Sequence, residues 1–319
     1  MRRSPDAGPA AALAGTAPAS PQPGVPPAVA GLTSVVVVSH RSAATLERCL
    51  EAVLSSSAAV EVIVVDNGSD DGSAALAGEL LAREPCLQLV RNPDNRGFAA
   101  ACNQGAAIAR GDALLLLNPD AFLPADAIAR LRRHLGHDPR IGLLGCAVLD
   151  ATGREHGPQR RREPTLARSL VSLLRLHRWA GCEGIEAPAA AGDDGRPETV
   201  DAVNGSVMLV DLALYRRLGG MDERFLLHAE DLDLCRRVRE AGRTVARAGD
   251  VAVVHLGGVS GRRRPFWVEW QKSRSLWRYF RKHYPDAGAA LGIAVGTGLA
   301  LRLAARVPFL VARRLLARR

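Results

Sequence analysis

Several signatures that would settle the function of this 319-residue chain at once are missing. Its first apolar run is followed by Ser39, His40, Arg41 and Ser42 rather than Gly-x-Gly-x-x-Gly, and no Gly-x-x-x-x-Gly-Lys-Ser/Thr occurs anywhere. Dinucleotide-dependent dehydrogenase and P-loop readings therefore lose their main support. The six cysteines, Cys49, Cys86, Cys102, Cys146, Cys182 and Cys235, stand singly, with no Cys-x-x-Cys pair and no histidine at zinc-site spacing. That usage fits a reducing compartment in which most thiols are small buried hydrophobes. Aromatics make up only 4%. No continuous apolar stretch of signal-peptide type follows Arg2 and Arg3, because prolines break Ser4 to Gly31. Residues 1–31 read as a disordered Ala/Pro-rich tail. No internal repeat is visible.

What is present is a 47% apolar chain long enough for one large or two modest domains with a sizeable core. The formal charge is +9, and much of it falls late, from Arg262, Arg263, Arg264, Lys272 and Arg274 through Arg302 and Arg306 to Arg318 and Arg319. Only Glu269 and Asp286 oppose it there. A basic C-terminal third suggests an anionic surface, phospholipid or nucleic acid, as partner.

Short apolar runs alternate with helical spacing. Ser34 to Ser39, Val60 to Val65, Leu87 to Val90, Leu114 to Leu117, Ile141 to Leu149, Ala202 to Val210 and Val251 to Val254 read as strands. Between them, helices are expected through Leu46 to Leu54, after a Ser73 cap, over Phe98 to Ala109, from Pro124 onward, over Leu212 to Leu218 and over Glu230 to Ala241. This rhythm predicts right-handed βαβ units and a mostly parallel sheet. Residues 151–199 break it, with one apolar helix candidate at Leu166 to Leu176, and read as an insertion beside a site.

The strands at Val60 and Leu114 run into Asp66 and into Asn118-Pro119-Asp120. In a parallel sheet, ligands sit at carboxyl ends of strands. Asp66 can accept from a base or ribose, and Asp120 can hold a divalent cation bridging a diphosphate. Glu230, Asp231 and Asp233 open a helix, where both dipole capping, at about 0.3 to 1 kcal/mol each, and general-base work are open. His255 at a strand end suits either a structural hydrogen bond or a ligand and phosphate contact.

Five segments in order resemble the inverting glycosyltransferases of family 2, rhamnosyltransferase-like branch: Asp66 to Ser73, Asn95 to Gly105, Leu117 to Asp120, Gly219 to Phe225 and Glu230 to Arg236. The resemblance implies an α/β GT-A fold, a nucleotide-diphospho-sugar donor, a glycan or polyprenyl-linked acceptor and a divalent cation, Mg or Mn. It implies Ser39 and Asp66 at the nucleoside and Asn95, Gly97 and Asn103 shaping its pocket. Asn118 and Asp120 would meet the diphosphate, with Asp120 and His255 on the metal. Asp231, beside Glu230, would be the base, with Asn204 and Asp222 on the acceptor side. The family's usual Asp-x-Asp has Asn118 at its first position here.

The implied divisions are a catalytic domain over 32–260, a basic aromatic helix over 261–285 packed on it, and a tail over 286–319 at a membrane surface. The apolar run Ala287 to Leu301 is shorter than the ~20 residues a span needs, so a surface-lying anchor on the inner face of the cell membrane is expected. Transfer of rhamnose from its dTDP derivative is the leading expectation, with galactose, mannose or N-acetylglucosamine as other donors. A catalytically silent sugar-binding protein is a second class. A nucleic-acid binder is a third, disfavoured by the acidic strand ends.

Overall fold

Val35 to Val38 are almost fully excluded from solvent, and successive residues enter opposite faces of one sheet. Val36 and Val38 join a core with Ala99, Ala101 and Leu234, whereas Val35 and Val37 join another with Leu46, Leu50 and Leu131. A valine run buried on both faces is what a central strand of a helix-covered sheet requires. The computed structural model describes residues 26–155, 160–163, 165, 168, 195–257 and 265–316.

Among these residues the strands are β1 (Val29–Ser39), β2 (Val60–Asn67), β3 (Leu87–Asn92), β4 (Gly111–Leu117), β5 (Ala121–Phe122), β6 (Ile141–Leu149), β7 (Glu198–Thr199), β8 (Val207–Asp211) and β9 (Thr244–His255). The helices are α1 (Ala43–Leu54), α2 (Ser73–Leu81), α3 (Phe98–Ile108), α4 (Ala127–His137), α5 (Leu212–Arg217), α6 (Glu230–Glu240), α7 (Pro265–His283) and α8 (Ala289–Leu316). The strands form one sheet in the order β3-β2-β1-β4-β8-β6-β9-β5, with β7 on β9. Its β3-β2-β1-β4 half is parallel, as expected. Beyond β4, β8 runs antiparallel to both neighbours, which the apolar runs alone do not reveal. Helix α3 lies so close on β1 that a Cβ on Gly105 would meet Val36 Cγ1 at 2.6 Å.

Several local expectations are corrected. β1 begins inside the expected tail, because Val29 N donates to Arg110 O and Gly31 N to Asp112 Oδ2. Ser73 is the first helical residue rather than the cap of α2, and its N–H and hydroxyl both donate to Asp71 Oδ1. Pro124 precedes α4 in a turn that ends with Ala127 N on its carbonyl. β8 starts at Val207, five residues after the expected Ala202. The apolar C-terminal stretch continues as one 28-residue helix through Pro308, and Ala289–Pro308 is long and apolar enough to cross a membrane. Apart from Arg168, the Leu166 to Leu176 helix lies outside the described residues, as do Cys182, the Arg262 to Arg264 run and residues 1–25 of the tail. Cys49, Cys102, Cys146 and Cys235 are buried free thiols, as their isolated spacing implies.

Candidate active site at the strand ends

Parallel register sets the first part of the site. Ser39 pairs with Asp66 across β1 and β2, and Val37 pairs with Leu117 across β1 and β4, so three strand ends share one rim. Ser39 is fully buried and Asp66 almost so. Asp66 Oδ2 accepts from Ser69 N at 3.1 Å, which folds the loop after β2 back onto the strand end. Ser39 Oγ and Asp66 Oδ1 have no hydrogen-bond partner among the described residues. Buried polar atoms are nearly always satisfied, so two adjacent exceptions mark a place where something else supplies the partner.

The short strand β5 decides the second part. Ala121 pairs with His255 at the end of β9, and Leu256 N donates to Asp120 O, so Asp120 and His255 are held side by side. Asp120 Oδ1 lies 3.0 Å from His255 Nε2, and Asn118 Nδ2 lies 3.3 Å from the same ring nitrogen. Both side chains are about nine-tenths buried. No group of three or more His, Cys, Asp or Glu side chains gathers among the described residues. One carboxylate and one imidazole still fit Mg or Mn, which need few protein ligands when a diphosphate supplies the remaining oxygens.

The helix carrying Glu230 and Asp231 is joined to this rim through the 204–206 turn. Asn118 N donates to Ser206 O, and a Cβ placed on Gly205 would lie 3.2 Å from Asp231 Oδ2. Asn204 Oδ1 closes the turn by accepting from Ser206 N. His228 and Ala229, both with φ near +65°, turn the chain sharply before α6. Such left-handed non-glycine residues cost of order 1 kcal/mol or more each and cluster at functional sites. Asp231 Oδ2 accepts from Arg161 Nη1, and Glu230 Oε2 is buried with no hydrogen-bond partner among the described residues. Burial, reinforced by the neighbouring Asp231, pushes the Glu230 carboxyl well above the usual range. Burial, with Lys272 nearby, takes the His228 imidazole down to about 4.

The loop before α3 closes the rim. Asn95 Oδ1 accepts from Gly97 N, and Gly97 O accepts from Asn67 Nδ2. Gly97 has φ +89°, and a Cβ there would meet Leu226 Cδ1 at 2.8 Å, so glycine is required on both counts. Buried Asn67 and Asn92 form an amide network with the half-buried Gln104 that braces this loop, which the sequence reading did not single out.

Two expected site residues are occupied elsewhere. Asn103 Oδ1 accepts from Tyr215 OH and Met221 N, while its Nδ2 donates to Met221 O and Glu223 Oε1. It latches the Gly219 to Phe225 loop onto α3. Asp222 accepts from Arg224 and Lys282, and these partners hold its carboxyl well below the usual carboxylate range. Asp233 faces away from the rim onto Arg237, Lys282 and His283. A cleft of about 630 Å³ between α7 and α8, lined by Trp277, Phe280, Arg281, Gly292 and Gly296, includes none of the strand-end groups.

Residues 34–185 match the family described as Glycosyl transferase family 2. N-acetylglucosaminyl-diphospho-decaprenol L-rhamnosyltransferase of Mycobacterium tuberculosis is 28% identical over 243 residues, 72% of this chain and 78% of that protein. The low-salt glycan biosynthesis hexosyltransferase Agl10 of Haloferax volcanii is 22% identical over 70% of this chain and 66% of its own length. Among solved structures, the mannosyltransferase PcManGT of Pyrobaculum calidifontis, in complex with GDP-Man and Mn2+, superposes with a TM-score of 0.57 at 20% identity. It covers 94% of this chain and 83% of that one.

Proposed function

We propose that this chain, whose residues 34–185 match glycosyl transferase family 2 and whose fold is of the GT-A type, moves L-rhamnose from dTDP-rhamnose, with inversion, onto a hydroxyl of a polyprenyl-linked glycan. The observation that carries the reading is the rim itself, where unpartnered Ser39 Oγ and Asp66 Oδ1, the Asp120–His255 pair and Asp231 adjoin. The rhamnosyltransferase of M. tuberculosis supports the sugar and the lipid-linked acceptor. Galactose, mannose or N-acetylglucosamine donors are the second reading, supported by the hexosyltransferase and mannosyltransferase likenesses.

In this reading Ser39 and Asp66 hold the nucleoside, while Asn95 and Gly97 shape the wall beside it. Asn118, Asp120 and His255 hold the divalent cation and diphosphate. When bound, the cation neutralises charge developing on the leaving diphosphate. Asp231 takes the proton of the acceptor hydroxyl as the glycosidic bond forms on the opposite face, and Glu230, protonated near neutrality, leaves Asp231 as the accepting carboxylate. Asn204 orders the turn that meets Asp231, and Asp222 holds the acceptor-side loop on α7 rather than touching the acceptor. Residues 29–260 form the catalytic domain, with 151–199 as its insertion. The helix Pro265–His283 packs on it, and the chain from residue 286 onward rests on the inner face of the cell membrane. No nucleic-acid partner is assigned.

Purified protein offered dTDP-rhamnose, UDP-galactose, GDP-mannose and UDP-N-acetylglucosamine tests the proposal through nucleoside diphosphate release with Mg, Mn or chelator. Turnover of dTDP-rhamnose alone, lost with chelator, is expected. Turnover of another donor would move the assignment to that sugar, and turnover of none would overturn transfer.

A further inference from the structure

Arg161 comes from the insertion, 70 positions before its partner, and its side chain is largely, though not wholly, buried. Burial opposes its charge, but the carboxylate of Asp231 outweighs that and keeps it protonated. Nη1 donates to both Asp231 Oδ2 and Val203 O. The backbone of Arg161 is fixed by a reciprocal bridge to Ala202, with N–O distances of 3.2 and 2.9 Å. Two residues on, Glu163 accepts from Arg236 and Arg239 of α6 and from Tyr284 after α7. The 160–163 segment is therefore built into the body, and one carboxylate oxygen of the proposed base is occupied by it. The Asp231 Oδ1 atom accepts from Leu232 N.

We propose that Arg161 is a positioning residue for the transfer reaction: it locks the Asp231 carboxylate in one rotamer, so that the remaining lone pairs of that carboxylate face the acceptor hydroxyl. The inference rests on Asp231 being the base. The charged and titratable groups around that carboxylate are Arg161 from the insertion, Glu230 beside it, Cys235 one turn on and His228 from the preceding loop. Among the described residues, Arg161 is the one cation that hydrogen-bonds the carboxylate. Misplacing a catalytic group by about 1 Å costs about 10²-fold, so kcat falls while donor KM stays.

The test compares Arg161→Gln, Arg161→Lys and Glu163→Gln in the full chain, reading kcat, donor KM and the melting temperature. Expected are a kcat loss of about 10²-fold in Arg161→Gln and a smaller loss, partly rescued by the retained charge, in Arg161→Lys, with donor KM unchanged in both. Glu163→Gln loosens the same segment without touching Asp231, so it lowers the melting temperature and leaves kcat near wild type below that temperature. Wild-type kcat in either Arg161 variant would overturn the proposal. So would losses in all three variants that merely follow their melting temperatures. If Arg161→Gln does not fold, Arg161→Lys decides alone. Should Asp231→Asn keep full activity, the premise fails instead, and that result is distinct from all of these.

Discussion

Glu230 and Asp231 are neighbours in sequence with different surroundings. Asp231 has an arginine, while Glu230 has burial and the adjacent carboxylate, which together raise it. Asp231→Asn is expected to lower kcat by about 10² to 10⁴ in protein that is still folded at the assay temperature, although its lost pairing with Arg161 lowers the melting temperature, both read by turnover and calorimetry on one sample. Glu230→Gln makes a pH-dependent prediction. An acid raised in the folded state contributes stability below its unfolded value of about 4.3, and that contribution is lost as pH rises through the raised value. The melting temperature of Glu230→Gln relative to wild type should therefore climb from acid to mildly alkaline pH. A constant difference would show that Glu230 is not held protonated. Residues such as Asp66 and Asp120 were legible in the sequence because each ends an apolar run at the carboxyl edge of a strand. Arg161 was not, because nothing periodic in residues 151–199 points to a partner 70 positions away. The bonds from Asn103 to Met221 and Glu223 were hidden for the same reason, since those residues lie more than 100 positions from it.

At the level of elements, α6 and α7 are joined by charge. Lys282 Nζ reaches Asp222 at 2.8 Å and Asp233 at 2.6 Å, and His283 Nε2 reaches Asp233 at 2.7 Å. Burial works against the Asp233 carboxylate, yet the His283 and Lys282 hydrogen bonds outweigh it and hold it below the usual range. Lys282→Met should cost about 2 kcal/mol near neutrality, measured by chemical denaturation. Depressed acids contribute stability above their unfolded value of about 3.9 and lose it as pH falls through the folded one. The cost should therefore shrink below about pH 4, and an unchanged cost would assign it to packing. Strand β6 could be read with its bounds intact because Ile141 to Leu149 is apolar on both faces. Helix α8 could not, because Arg302 and Arg306 interrupt the hydropathy while the helical period runs on.

For the whole molecule, the C-terminal pair of helices forms one unit. Arg302, inside the apolar stretch of α8, donates to Glu269 at 2.9 Å and to Ser273, while Ser275 of α7 donates to Leu227 O of the catalytic body. Helix α8 is thus laid along α7, with Ile293, Leu301, Trp267 and Trp270 exposed. A crossing α8 would have to break the Arg302 pairing, so the proposed membrane contact is lengthwise. Full-length protein should float with vesicles containing anionic lipid, less so in high salt, and should be released by alkaline carbonate. A chain ending at Pro285 should not float. Resistance to carbonate would place α8 across the bilayer.

The pairing of Arg302 with Glu269 then has a consequence for product length. If the proposed lengthwise contact holds, a catalytic body strapped broadside to the lipid would work at a constant height above the headgroups. It would then decorate only the first few units of a lipid-linked saccharide, and later additions would fall to enzymes with a longer reach.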